Sequence, residues 1–275
     1  MMMSAALATP SCETFILRDH LFNQDNYRIK EFLKKSVTMA VNEIYQYSVI
    51  PALMSGLSSG TSSIAISDLL EHGSFGIGTF ENMDGEMVVI DGQAYQLKAD
   101  GSIKAVSDDT KVPFAMVTRF QATQSHEAFF GSKEEVEQAI SEALPNARNT
   151  FALVKVTGVF KKMKVRAIPA QEYPGQLLSE LAKKQSVHEY EDVKGSIIGL
   201  RSPAWSSGVS VVGLHAHFID DKRTIGGHIL EMSTKGNVEI GFATCTKVNI
   251  HLPESEEFGS RDLDLDQEGV KKAES

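Results

Sequence analysis

Three histidines in the second half of the chain have the spacing of metal ligands. His215 and His217 alternate in an apolar segment, and His228 follows the pair Gly226-Gly227. Residues two apart in a β-strand project from one face, roughly 6.5 Å apart, so the first two imidazoles lie side by side. A polar turn and the glycine pair bring the chain back beside this strand and deliver His228 to the same place. Three neutral imidazoles with an open position suit zinc or another divalent transition metal, including iron, nickel and cobalt.

Two other interpretations of these histidines stay open at this point. They are ordinary strand histidines if hydrogen bonds satisfy their ring nitrogens. A metal oxygenase of the cupin type would need an acidic ligand close behind the His-x-His pair. Asp221 stands four residues after His217, but turn formation explains an aspartate there better.

The histidine pattern resembles the metal-site motif of the α-acetolactate decarboxylases. That motif is Gly-x-His-x-His-Phe followed by Gly-Gly-His, and the chain has it at Gly213–Phe218 and Gly226–His228. A shorter family of similar fold, the plant and prokaryote conserved domain of AT-hook proteins, carries a comparable His-x-His and Gly-Gly-His. The histidine motif alone therefore leaves two families open.

The first half of the chain favours the decarboxylases. Its order of motifs is similar to theirs, and the AT-hook-associated domain is too short to contain them: Phe75-Gly-Ile-Gly-Thr-Phe80, Asp84-Gly-Glu86, Tyr95-Gln-Leu97 and Pro113-Phe-Ala115. The resemblance covers roughly residues 42–275. It implies metal-dependent decarboxylation of (S)-2-acetolactate to (R)-acetoin and CO2 through a metal-stabilised enediolate, in a homodimeric enzyme. The alternative is a non-catalytic metal- or ligand-binding regulator of the AT-hook-associated fold.

The resemblance also implies roles for four residues outside the histidine motif. Arg166 would hold the substrate carboxylate through its forked donors. Glu86 would deliver or relay a proton. Thr79 would contact the substrate, and Glu274 would return from the C-terminus to the active site. Without the resemblance, Arg166 is interpreted as a strand arginine in a surface ion pair, and Glu86 as the first residue of a hairpin strand. Thr79 is then a threonine favoured by β-propensity, and Glu274 is part of a terminal tail.

Composition narrows the possible partners and location. The formal net charge of −9 argues against a nucleic-acid binder, which needs a basic surface. No apolar run is long enough to cross a bilayer, so no membrane segment is expected. The N-terminus lacks the basic start of a secretory signal, and Cys12 and Cys245 are far apart in sequence. These features predict a reduced, cytoplasmic protein without a nucleic-acid or membrane partner. The small-molecule substrate, acetolactate, is what the resemblance implies.

The apolar patterning predicts an α+β fold with mixed and antiparallel sheets and a few short helices. Together with the resemblance, it leads us to expect the metal site in a cleft between two lobes. Asp-Gly pairs separate short alternating runs, which is typical of a β-meander. We predict three segments: an extension at 1–41 that contains an amphipathic helix, a β-meander lobe at 42–170, and a metal-binding β lobe with an acidic tail at 171–275.

Overall fold

Two large β-sheets dominate the part of the chain that the computed structural model describes, which is residues 41–263 and Val270. In spatial order, the first sheet contains β15 (Val248–His251), β1 (Ile44–Tyr47), β8 (Phe114–Thr118), β3 (Phe75–Thr79), β4 (Glu86–Ile90), β5 (Gln93–Leu97) and β6 (Ile103–Ala105). The second contains β11 (Ser186–Ser202), β12 (Gly213–Asp220), β13 (Gly226–Thr234), β10 (Phe151–Ala167), β14 (Val238–Cys245) and β9 (Gln124–Ala128).

Shorter elements connect the strands of the two sheets. Two short strands, β2 (Ile64–Ala65) and β7 (Lys111–Val112), pair with each other. The helices are α1 (Ile50–Met54), α2 (Ile66–Leu70), α3 (Lys133–Ala143), α4 (Leu178–Leu181) and α5 (Glu256–Ser260). None of the helices in the described part of the chain has the length and apolarity that a membrane span requires. The β-rich fold with mixed sheets and few short helices agrees with the predicted fold class.

The predicted β-meander, β3 to β6, forms one side of the first sheet and ends at its edge. Asp91 and Gly92 join β4 to β5 and have φ angles of +52° and +79°. Two successive positive φ angles define the tight turn whose twist matches that of the flanking strands, which is why Asp-Gly is favoured there. The pairings of β3 with β4, β4 with β5, and β5 with β6 are all antiparallel, whereas β15 joins β1 in parallel.

The second sheet is built on two long strands, β10 and β11. Their antiparallel pairing extends from Ala152 opposite Arg201 to Ala167 opposite Ser186. Strand β10 continues through Gly158 without a break. On its other edge β10 pairs with β14 as far as Thr157 and with β13 from Phe160 onward. Because β11 also pairs with β12, and β12 with β13, the hydrogen bonding closes on itself in the order β10, β11, β12, β13, β10.

Helix α3 begins with a capping box formed by Ser132 and Glu135. The Ser132 hydroxyl accepts a hydrogen bond from the Glu135 N–H, and the Glu135 carboxylate accepts one from the Gly131 N–H at 2.6 Å. These bonds satisfy amide groups that the first helical turn leaves without partners. Val136 and Ile140 lie on the buried face and pack against the second sheet.

Strand alternation separates the apolar side chains into distinct cores. Val88 and Ile90 of β4 share a core with Ile219 of β12, so the inner faces of the two sheets are packed together. Leu214 and Phe218 point the other way, into a core within the second sheet. Residues of β12 with the same parity as Ile219 therefore face the first sheet. His215 and His217 have that parity.

The described residues belong to one compact unit. The change from the first sheet to the second falls between β8 and β9, and β15 returns to the first sheet. The amphipathic helix predicted in the extension and the acidic residue Glu274 lie outside the described residues.

Candidate functional site

The three histidines meet on neighbouring strands of the second sheet. His217 and His228 are direct partners in the pairing of β12 with β13, and His228 is the partner of Arg166 in the pairing of β13 with β10. The ring centroids of His215 lie 5.0 Å from those of His217 and His228, and the latter two are 5.4 Å apart. One nitrogen from each ring lies within 4.8 Å of the others, so a single ion can bind all three.

The turn between β12 and β13 is organised by Asp220, which is 5% exposed. Its Oδ1 accepts hydrogen bonds from the N–H groups of Thr224 at 2.6 Å and Ile225 at 2.8 Å, and its Oδ2 accepts one from Lys222 N–H at 3.2 Å. The neighbouring Asp221 forms an exposed ion pair with Lys194 at 3.3 Å. The side chain of Asp221 therefore lies in a surface ion pair rather than at the histidines.

Replacing Asp220 by alanine is expected to lower the free energy of unfolding by about 2 kcal/mol, because several partly buried amides lose their acceptor. Asp221→Ala is the matched control and should change it by less than about 0.5 kcal/mol, since an exposed ion pair contributes little. Urea unfolding followed by circular dichroism measures both. Equal effects in the two variants would contradict the assigned role of Asp220.

The Gly-Gly pair allows the close approach that brings His228 to its partners. A Cβ atom on Gly227, whose φ is +151°, would lie 2.7 Å from the carbonyl oxygen of Arg166. A Cβ atom on Gly226 would lie 2.2 Å from a methyl group of Leu97. Both distances are shorter than van der Waals contact, so neither position accepts a side chain without movement of the strand.

We expect Gly227→Ala to reduce the free energy of unfolding by about 1–3 kcal/mol, because the added methyl group overpacks β13 against β10. Gly236→Ala is the matched control, since a Cβ atom there meets nothing within 4 Å. Its effect should stay below about 0.5 kcal/mol. Chemical unfolding of the two variants side by side tests the claim, and a Gly227→Ala protein as stable as the parent would refute it.

The first sheet fixes the orientation of His217. Its Nδ1 lies 2.8 Å from the backbone oxygen of Met87, and a carbonyl oxygen only accepts, so Nδ1 carries the proton. The Nε2 atom is then unprotonated, so its lone pair can bind a metal ion. It is buried, makes no hydrogen bond, and lies 3.5 Å from Oε2 of Glu86. Two electron-rich atoms facing each other at that distance favour a cation between them, and the site therefore fits a metal ion.

Burial keeps all three imidazoles neutral. It lowers the pKa of His217 to about 3. It also holds the pKa of His215 and of His228 well below the ordinary value, and the positive charge of Arg166 lowers both further. The neutral imidazole is the form that binds a metal ion.

A buried ion pair between Arg166 and Glu86 adjoins the histidines. The Nη1 atom of Arg166 donates to Oε1 of Glu86 at 2.5 Å, and the two residues are 1% and 7% exposed. Arg166 comes from β10 of the second sheet, whereas Glu86 begins β4 of the first. Their pairing joins the two sheets at the histidine cluster.

A pocket opens beside this pair, with about 410 Å³ of space including its mouth. Thr79, Glu86, Arg166 and His215 line it. The Thr79 hydroxyl donates to the carbonyl oxygen of Gly85 at 2.7 Å, and the two residues flank the turn before Glu86. The remaining wall is largely apolar and is formed by Ile50, Leu53, Met83, Phe114, Ile168 and Leu178.

The structure brings together six of the seven residues singled out from the sequence, and the seventh, Glu274, lies outside the described residues. The sequence did not indicate that the carbonyl oxygen of Met87 orients a histidine, because every residue carries a backbone oxygen and residue type gives no signal. It also did not indicate the apolar wall, in which Leu178 and Leu53 are typical core residues by composition.

Comparison with known proteins decides between the families that share the histidine motif. The family model described as alpha-acetolactate decarboxylase matches residues 44–265. The alpha-acetolactate decarboxylase of Lactococcus lactis subsp. lactis is 40% identical over 235 residues, which is 84% of this chain and 96% of the relative.

Solved structures agree with the sequence match. The alpha-acetolactate decarboxylase of Bacillus subtilis strain 168 superposes with a TM-score of 0.80 at 31% identity, over 85% of this chain and 99% of that one. A Staphylococcus aureus protein of unknown function, described as similar to alpha-acetolactate decarboxylase, also gives 0.80, at 34% identity over 85% of this chain and 100% of that one. With a fold, a pocket and a family match that all point the same way, the chain belongs to the α-acetolactate decarboxylase family of enzymes.

Proposed function

We propose that the pocket beside the histidines is the site of acetolactate decarboxylation, and that His215, His217 and His228 hold a divalent metal ion, zinc by preference. The observation that carries this proposal is the convergence of three buried, neutral imidazoles next to a buried carboxylate and guanidinium. When bound, the ion would act as a Lewis acid toward the adjacent hydroxyl and ketone oxygens of the substrate. The protein residues around it supply the remaining functions.

Arg166 is proposed to hold the substrate carboxylate. Its guanidinium lines the pocket, and its planar fork matches a carboxylate better than a lysine would. The bond that breaks joins this carboxylate to the carbon that carries the hydroxyl. As CO2 leaves, the electron pair moves onto the ketone side of the substrate. By holding the carboxylate, Arg166 would fix the orientation of the bond that breaks.

Glu86 is proposed to relay the proton that completes the reaction: as the ion-pair partner of Arg166 it is a carboxylate, so it takes this proton from a water molecule before passing it on. That proton must reach the carbon from which CO2 has left, which gives acetoin. Glu86 approaches from the first sheet, whereas the histidines belong to the second, so the proton would arrive from one side only. Delivery from one side would give a single enantiomer, and we propose (R)-acetoin from (S)-2-acetolactate.

Thr79 and the apolar wall are proposed to position the substrate. The Thr79 hydroxyl donates to Gly85 O, and its oxygen retains acceptor capacity for the hydroxyl of the substrate. The wall that includes Leu53, Phe114 and Leu178 suits the two methyl groups of acetolactate and limits access of water.

The proposal includes a homodimeric, cytoplasmic enzyme to whose site Glu274 contributes. Light scattering coupled to gel filtration tests the dimer, and cell fractionation tests the location. Truncation after Val270 tests Glu274, because a contribution to catalysis would lower kcat while leaving the fold and the bound metal unchanged.

The decisive experiment measures acetoin formed from racemic acetolactate by the purified protein. We expect activity that is lost after chelation and returns with added Zn²⁺, with half of the racemate consumed rapidly. Metal content is measured in the same samples. A protein that binds metal at the histidines but forms no acetoin above the spontaneous rate would refute the proposed reaction at this site.

A further inference from the structure

A second cleft lies between the end of α3 and the start of β12, and we call it the Arg201 groove. It is lined by Glu137, Ser141, Arg148, Arg201 and Ser202 together with apolar residues. It encloses about 890 Å³ of space including its mouth, and it shares no lining residue with the pocket beside the histidines. A ligand bound in this groove would therefore occupy a separate site.

Arg201 is a buried cation whose hydrogen bonds go to neutral oxygens. It is 9% exposed, and its guanidinium donates to the carbonyl oxygen of Ala147 at 2.6 Å and to Oγ of Ser141 at 3.2 Å. Among the residues that the structure describes, no carboxylate forms an ion pair with it. Arginines this deeply buried are rarely found without a negative partner, because removing the charge from water is costly.

Arg148 adds a second guanidinium to the same groove. It is exposed, and in the described ranges it makes neither an ion pair nor a side-chain hydrogen bond. Glu137 is the one carboxylate among the lining residues, so the groove has a net positive charge on a chain whose formal net charge is −9. A local positive site on an acidic protein attracts small anions that the rest of the surface repels.

We propose that the Arg201 groove binds a small oxyanion, either a carboxylate or a phosphate group. Both arginines present forked N–H donors that match two oxygens of such a group, and the Ser202 hydroxyl offers a further donor. Leu144 and Val212, also in the lining, would contact a short aliphatic substituent on a carboxylate. The anion supplies the negative charge that Arg201 lacks.

Isothermal titration calorimetry at constant ionic strength tests the proposal with two probes, inorganic phosphate and butyrate. We expect at least one probe to bind the parent protein with one site per chain and Arg148→Gln to weaken that binding about tenfold. Arg261→Gln is the matched control. It removes the same charge from a surface arginine that pairs with Glu257 at 2.7 Å, and it should leave the affinity unchanged. Binding of phosphate alone, butyrate alone or both identifies the source of the oxyanion.

Two results would overturn the proposal: neither probe binds, or a probe binds Arg148→Gln as tightly as the parent. The second result would place the anion elsewhere, for example beside Arg166. Arg148 is exposed, so its replacement should not disturb folding. Arg201→Lys provides a second variant that keeps the charge but loses the fork, and its affinity should also fall. If this variant does not fold, the comparison of Arg148→Gln with Arg261→Gln still decides.

Discussion

Replacing His217 by alanine is expected to remove the bound metal ion and to lower kcat/KM for acetolactate by about three orders of magnitude. The estimate follows from the several kcal/mol that a Lewis acid contributes to charge stabilisation, at 1.36 kcal/mol for each tenfold change in rate. His217 is chosen because its geometry is the best determined of the three histidines. The carbonyl oxygen of Met87 lies 2.8 Å from Nδ1 of His217 and fixes the orientation of the ring. The Nε2 atom is then directed at the site.

The matched control for this variant is His126→Ala. His126 is exposed on β9 and packs its ring against Phe242, away from the three histidines. Metal content by mass spectrometry and acetoin formation are measured for both variants, with circular dichroism to verify folding. If His217→Ala retains stoichiometric metal and parental activity, the ion is held elsewhere and the assignment of the site is wrong.

The histidine cluster could be predicted from the sequence because its geometry is largely local. Alternation within β12 places His215 and His217 on one face whatever the rest of the chain does. The Gly-Gly pair then permits the close return of β13, and the observed partnership of His217 with His228 follows. The motifs in the first half of the chain indicated the family, because the order of motifs along a sequence can be compared without knowledge of the fold.

Features that depend on distant pairing were not predictable in the same way. Strand β9 has the sequence Gln-Ser-His-Glu-Ala, is largely exposed and shows no apolar alternation, so its β-structure comes from its pairing with β14. The continuity of β10 through Gly158 likewise depends on β11, which pairs with it on both sides of that glycine. Local patterns indicate which face of a strand is buried, but not which strand it will pair with.

The contact between Arg166 and Glu86 shows the same limit at the site itself. Alternation along β10 directs Arg166 away from Val165, which packs in the core of the second sheet. Nothing local indicates that its partner begins a strand of the other sheet, 80 residues earlier in the chain. Only the family resemblance placed the two residues near one site before the structure did.

Glu86→Gln is expected to affect stability and catalysis together. Removing one charge from a buried ion pair leaves Arg166 poorly compensated and should cost about 3 kcal/mol in the free energy of unfolding. Loss of the proposed proton relay should lower kcat by about 10²–10³-fold. Chemical unfolding and steady-state assays measure the two effects. Glu189→Gln is the control, since that carboxylate pairs with Lys162 at 3.4 Å and is half exposed, so both quantities should stay close to the parent's.

A double variant, Glu86→Gln with Arg166→Met, separates the two effects. Replacing the remaining buried charge by an apolar side chain of similar length should recover much of the lost stability, because no uncompensated cation is left in the core. Activity should not recover, since both groups proposed to handle the carboxylate and the proton are then absent. If activity instead returned with stability, the pair would only hold the two sheets together, and the proton would have to come from another group in the pocket.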